Sequence, residues 1–244
     1  ARYTVPKEVV PMEGYRMAPI ATVRSALPEK FGIPRQSGLV PELRAEIVFA
    51  PAYRDPSALR GLEGFSHLWL IWVFSKAARS TWSPTVRPPR LGGNERMGVF
   101  ATRSPFRPNP IGLSSVRLEG IDLHGPDGPI LHVSGADLLD GTPILDIKPY
   151  LPYTDAHPDA AEGFTARHRD YTLTVECPPA LLAQVPEALR PGLLGVLAQD
   201  PRPSYQDDPA RVYGMAFAGL DVRFTVAGDV LTVVAVTASA QDGR

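Results

Sequence analysis

The chain reads as a mainly β protein, a sandwich or barrel followed by a small α+β unit. Three observations point there. Proline supplies 27 of the 244 residues, about twice the usual share, and is spread along the whole chain. Such a sequence favours short strands and rigid turns over long helices. The apolar stretches before about residue 150 are short, alternating or aromatic-rich, and separated by Gly/Pro clusters. After Tyr153 the character changes to a polar stretch, then helix-like and strand-like segments.

"LRAEIVFA" places Leu43, Ala45, Ile47 and Phe49 on one face by strict alternation. "HLWLIWVF", His67 to Phe74, is a continuous apolar run and predicts a strand buried on both faces. "MGVFAT", "SSVRLEGIDL" and "PILHVSG" are further short strands, separated by turns such as "HGPDGP". "TDAHPDAAEGFTARHRD" reads as an exposed connector. "PPALLAQVPEALRPGLLGVLAQDP" predicts two short helices broken by Pro186 and Pro191. "RVYGMAFAGLDVRFTVAGDVLTVVAV" predicts a three-stranded meander. The expected division is a β-rich domain over residues 1–160 and a small α+β domain over 170–244. No internal repeat is visible.

Composition excludes several classes. There is no run of about 18 apolar residues, so no membrane span is expected. The opening "ARYTVPKEVVPMEG" lacks the pattern of a secretory leader. The single cysteine, Cys177, makes no internal disulfide and reads as a buried bystander. No Cys/His cluster has metal spacing, so no metal is expected. A reducing, cytoplasmic compartment fits. The five histidines lie in unrelated contexts, and His67 reads as a hydrogen-bonded core residue. No "GxGxxG" or P-loop pattern occurs.

Net charge is −1, against a uniformly basic nucleic-acid binder. The distribution is uneven. From Lys76 to Arg107 seven basic residues face one acid, Glu95; from Glu119 to Asp170 ten acids face Lys148, Arg167 and Arg169. That is either a binding face with its counterweight or two solvated faces.

Four stretches stand out: "KFGIPRQSGLVPE", "TVRPPRLGGNERMGVFATRSPFRPNPIGLS", "GADLLDGTPILDIKPYLPY" and "LAQDPRPSY". Each sets charged or amide side chains among prolines and glycines, as rigid loops on a β scaffold do when they build a site. In "ATRSPFRPNPIG" Pro105, Pro108 and Pro110 fix φ and withhold backbone donors, so the segment is neither helix nor central strand. It is a stiff loop carrying Arg103, Arg107 and Asn109, with Arg103 expected to face inward and the other two outward.

At these stretches, and at "GLEGFSHLWLIWVF", the chain resembles the TsaA-like or TrmO family, from about Ala18 to beyond Arg223. The resemblance implies an N-terminal β-barrel that binds S-adenosylmethionine outside any Rossmann fold, a small C-terminal domain, and a homodimer. It implies N6-methylation of N6-threonylcarbamoyladenosine beside the anticodon of a threonine tRNA. Carried onto this sequence, the cofactor contacts are Pro34, Arg35 and Gln36 of "PRQ", Ser75 and Lys76 after the aromatic strand, and Arg103 of "TRS". They continue with Leu113 after "PIG" and with Ser134, Gly135, Ala136 and Asp137 before "DGTP". Arg107 and Asn109 are left for RNA.

The chemistry narrows the remaining roles. Methyl transfer from a sulfonium requires alignment more than activation of the donor. Arg35 or Arg103 suits the donor's carboxylate, and Leu113 and Ala136 suit its adenine. The acceptor N6 is a ureido nitrogen, a poor nucleophile until its proton leaves, so a base is expected. "DIKPY" offers Asp146, Lys148 and Tyr150, on one face if extended. Asp146 ranks first as base or orienter, although pairing with Lys148 would keep it ionised. Lys148 ranks second, as partner for the threonyl carboxylate, and Tyr150 third. Two other readings stay open: a binding or sensing barrel without turnover, and methylation of a different substrate.

Overall fold

The structure, a computed structural model, describes residues 16–77, 82–88, 95–168, 171–202 and 208–239. Arg79, Arg90, the leading "ARYTVPKEVVPMEG" and the "PSY" of "DPRPSY" lie outside the described residues.

Six strands close a barrel: β1 (Ala21–Ser25), β2 (Arg44–Phe49), β3 (His67–Val73), β6 (Ile111–Gly125), β7 (Gly128–Ser134) and β8 (Pro143–Pro149). Their order around the barrel is β1-β2-β7-β6-β3-β8, and every neighbouring pair is antiparallel. A two-stranded ribbon, β4 (Thr85–Val86) with β5 (Met97–Gly98), lies between β3 and β6 in the chain. A second sheet follows, of order β10-β11-β12-β9. Its strands are β9 (Thr174–Glu176), β10 (Tyr213–Phe217), β11 (Leu220–Ala227) and β12 (Val230–Ala238). The last three form the expected meander, and β9 adds in parallel to β12. The helices are short: α1 (Pro152–Asp155), α2 (Pro179–Leu182) and α3 (Arg190–Ala198).

Alternation fills the barrel. Leu68, Leu70 and Trp72 of β3 point inward with Ile47, Val116, Leu131 and Ile144. The other positions of β3 are half-buried, so this strand is not covered on both faces as its apolar run suggested. Trp69, Ile71 and Val73 instead make an apolar outer stripe. "MGVFAT" also departs from expectation: the strand stops at Gly98 and Val99–Ala101 turn as a 3-10 helix. Pro191 begins α3 instead of breaking a helix, since a proline in the first turn costs no hydrogen bond.

The second core belongs to the C-terminal sheet and α3, with Leu193, Leu197, Met215, Phe217 and Phe224 fully buried. It also takes in Leu27, Val40 and Leu43 from the segment between β1 and β2.

Candidate active site

The site forms where two barrel strands separate. β6 pairs with β3 from Ile111 to Arg117, but with β7 only from Arg117, opposite Ser134, onward. After Ser134 the chain turns away. The β6 edge near Ser114 and Ser115 therefore meets other groups. Ser115 N–H donates to Ser37 Oγ at 3.2 Å, and Ser114 Oγ donates to Asp137 Oδ1 at 2.6 Å. Trp72 Nε1 donates to Ser114 Oγ at 3.0 Å, fixing that hydroxyl from inside the barrel. By antiparallel alternation the Leu113 backbone N–H and C=O turn to the same edge as those of Ser115.

The "PRQSG" loop is sewn to this edge. Gly38 N–H donates to Gly135 O, and Gly135 N–H to Leu43 O, both at 2.9 Å. Gly38 and Gly135 have φ of +81° and +74°, which other residues adopt at a cost. A Cβ on Gly135 would stand 3.4 Å from Gly38 Cα, so the two backbones touch. Gln36 Oε1 then accepts from Arg103 Nη1 at 2.6 Å, joining the loop to "TRS". Burial pushes the Asp137 carboxyl above its usual range; the Ser114 hydrogen bond and the Arg103 charge oppose that shift without cancelling it.

Asp146 and Lys148 stand on the barrel's outer face. The ladder between β3 and β8 slips once: Trp72 opposes Ile144, and Ile71 opposes Asp146. The extra residue, Leu145, makes a bulge. Without it Asp146 would share the inward face of Ile144. With it Asp146 points out and Ile147 packs inward. Lys148 Nζ lies 2.9 Å from Asp146 Oδ2, and Ile147 N–H donates to Asp146 Oδ1 at 2.9 Å. Across the sheet Leu113, Ile71 and Asp146 form one row on this face, so Leu113 and Asp146 are two strand spacings, about 10 Å, apart. Tyr150 lies at the end of β8, its ring 5.5 Å from Trp69 and 6.2 Å from His67, centroid to centroid. Trp69 Nε1 in turn donates to Asp155 Oδ2 at 2.9 Å, tying α1 to the face; the Leu151 N–H first, and this bond second, hold Asp155 below the usual carboxylate range.

The sequence-derived residues thus fall into groups. Gln36 and Arg103 meet directly, the Arg103 charge reaches Asp137, Gly135 joins the loop through Gly38, and Leu113 is exposed on the same β6 edge. Pro34 is buried and Arg35 half-buried in the same loop. Ser75 and Lys76 form an exposed turn that reaches the loop through Lys30, whose Nζ donates to the Lys76 carbonyl. Ala136 is 2% exposed and packs in the barrel core, so its side chain has no face for an adenine. Ser134 donates to Glu119 Oε1 at 2.6 Å and faces a different cleft, lined by Pro41, Arg44 and Pro191.

The proline loop has no regular structure from Thr102 to Pro110. Arg103 and Asn109 are exposed; Arg107 is half-buried, with Nη1 donating to the Thr102 carbonyl at 3.2 Å, and so braces the loop. The outward position expected for Arg107 is therefore only partial. Sequence reasoning missed Ser37, Trp72 and Ser114, whose roles depend on strand pairing. It also missed Trp82 and Phe100, which are 52% and 73% exposed and stacked at 6.3 Å. Exposed Arg87 and Arg96 lie on the same ribbon. Among the described residues no His/Cys/Asp/Glu cluster suits a metal ion, and no helix is long and apolar enough to cross a membrane.

Comparison with known proteins assigns this arrangement to a family. Residues 22–156 match the tRNA-methyltransferase O N-terminal domain, and residues 172–239 match the TrmO C-terminal domain. The tRNA (adenine(37)-N6)-methyltransferase of Escherichia coli K12 is 44% identical over 224 residues, covering 88% of this chain and 94% of its own. The protein of the same name from Eikenella corrodens is 51% identical over 174 residues, 71% of this chain and 98% of its own. The crystal structure of TrmO from P. aeruginosa superposes with a TM-score of 0.77 at 38% identity, covering 94% of this chain and 100% of that one. The chain belongs to the tRNA-methyltransferase O family.

Proposed function

We propose that this chain transfers a methyl group from S-adenosylmethionine to N6 of N6-threonylcarbamoyladenosine, beside the anticodon of a threonine tRNA, as a homodimer. The coarser activity, S-adenosylmethionine-dependent methylation of a tRNA adenine at N6, comes with the family. The observation that carries the finer reading is the row Leu113–Ile71–Asp146, which sets a donor edge and an Asp/Lys pair on one face.

The residues at the β6 edge fit the donor. Its amino-acid end carries both charges, and the edge offers both: the Arg103 guanidinium for a carboxylate and the Asp137 carboxylate for an ammonium group. The backbone N–H and C=O of Leu113 suit an adenine edge. Bound there, S-adenosylmethionine would supply an electrophilic methyl group.

On the acceptor side, Lys148 neutralises a threonyl carboxylate. That carboxylate competes with Asp146 for Nζ, and capture of Lys148 releases Asp146 Oδ2 to take the N6 proton. The substrate's own charge thereby frees the base. The Trp82–Phe100 pair, with Arg87 and Arg96 at the other end of their ribbon, suits unpaired bases of an anticodon loop, which stack on exposed aromatic rings.

The test is to incubate the purified protein with S-adenosylmethionine and threonine tRNA, with and without the threonylcarbamoyl group, and to weigh the released nucleosides. A methyl mass gained only on the threonylcarbamoyl form supports the reading. Equal methylation of plain adenosine overturns the substrate assignment.

A further inference from the structure

We infer that the C-terminal unit is part of the donor site's machinery, holding the "PRQSG" loop in its binding shape through Val40 and Gly195. This rests on the donor reading above. The loop's tip reaches Arg103, Ser115 and Gly135 of the barrel, but both its feet stand in the C-terminal core. At the first foot, Leu27 is fully buried in that core and Phe31 stacks on Phe224 with ring centroids 6.5 Å apart. Ala218 N–H donates to the Ala26 carbonyl at 2.7 Å, and Ala216 N–H to Glu29 Oε1 at 3.0 Å. At the second foot, Val40 and Leu43 are each 2% exposed and lie against α3.

The fit at α3 has no slack. A Cβ on Gly195 would stand 2.5 Å from Val40 Cγ1, inside any real contact. Gly32, at φ +91°, is equally tight: a Cβ there would stand 2.2 Å from Met215 Sδ. Three residues separate Val40 from Gln36, and the middle one, Gly38, bonds Gly135. A displacement of Val40 therefore moves the hydrogen bonds that shape the donor edge. Val40 and Gly195 are positioning residues: they touch neither donor nor acceptor.

Gly195 is in mid-helix with ordinary dihedrals, so alanine there favours the helix itself. The new methyl must push Val40. Gly195→Ala is expected to weaken S-adenosylhomocysteine binding, read by calorimetry, by about tenfold, within the usual range of coupling between sites. Val40→Ala in the same chain removes the clashing methyl and should restore affinity to within about threefold of the natural protein. Coupling is reciprocal. In the unaltered protein, S-adenosylhomocysteine should therefore slow amide exchange in α3 and β10, far from any donor contact. A purely structural role would lower the melting temperature of Gly195→Ala and leave affinity alone. Unchanged affinity in Gly195→Ala, or no slowing in α3 and β10 on binding, would overturn the inference. Failure of the natural protein itself to bind S-adenosylhomocysteine would overturn the donor reading first, and this inference with it.

Discussion

Asp137 and Asp146 flank β3 from opposite sides and are held in opposite ways. Asp137 follows β7, half-buried, with a serine hydroxyl and an arginine charge facing it and burial prevailing over both. Asp146 sits on the barrel's outer face, half-exposed, with a lysine on one oxygen and a backbone N–H on the other. The contrast teaches which carboxylate can do which task. A carboxylate kept dry beside a cation is a fixed ligand for a charged group that arrives with its own countercharge. A carboxylate in water, paired to a mobile lysine, can exchange partners within one turnover. On this account Asp137 binds donor and Asp146 handles the acceptor's proton.

Breaking the acceptor side has the largest expected effect. Asp146→Asn should lower kcat by about 10²–10⁴-fold, the usual contribution of a positioned base, with donor affinity unchanged. Steady-state kinetics with a donor titration checks both halves. Breaking the donor side comes next. Arg103→Ala removes the Gln36 partner and the cation facing Asp137, and should weaken S-adenosylmethionine binding at least tenfold by calorimetry. Arg107→Ala should leave donor affinity within about twofold, because its bond goes to its own loop.

The RNA face tests whether acceptor binding is separate from both carboxylates. Trp82→Ala and Phe100→Ala should each weaken tRNA binding by roughly 5–100-fold, the range for one stacked base. The slope of affinity against salt should stay unchanged. Arg107→Ala should instead lower that slope by about one unit if its remaining N–H groups meet a phosphate. Filter binding at two salt concentrations separates the cases.

The smallest effect is on stability. The folded Asp137 carboxyl is raised, so the native state holds its proton to higher pH than the unfolded chain does. Stability from this group is therefore full at low pH and is lost as pH rises from about 4, the ordinary carboxylate value, through the raised value. Asp137→Asn removes that loss. It should melt slightly higher than the natural protein at neutral pH and show a flatter melting curve against pH, while binding donor more weakly. Asp155 runs the other way: its lowered carboxyl adds stability above pH 4 that disappears on acidification.

The parts legible in the sequence were those written locally. Alternation in "LRAEIVFA" and the turn chemistry of "HGPDGP" marked barrel strands without reference to anything distant. Prolines and glycines around Gln36 and Arg103 marked stiff loops. What escaped was set by pairing between remote segments. Nothing near Ser114 announces that β7 leaves β6 at Ser134 and uncovers its edge. Leu145 looks like an ordinary strand residue, yet its bulge decides that Asp146 faces outward. Leu27, Val40 and Leu43 fit the periodicity of a barrel chain, but their burial depends on α3 and the last sheet. Trp82 and Phe100 lie 18 positions apart and meet only because Val99 N–H donates to the Pro84 carbonyl, at 2.9 Å, at the base of their ribbon.

The division between the two carboxylates is tested most directly by measuring donor dissociation constants and single-turnover methyl transfer for Asp137→Asn and Asp146→Asn side by side. Asp137→Asn should weaken donor binding and recover much of its rate at saturating S-adenosylmethionine. Asp146→Asn should bind donor as the natural protein does and stay slow at any donor concentration. The reverse pattern, with Asp137→Asn slow at saturation and Asp146→Asn fast, would make Asp137 the base and overturn this division of roles.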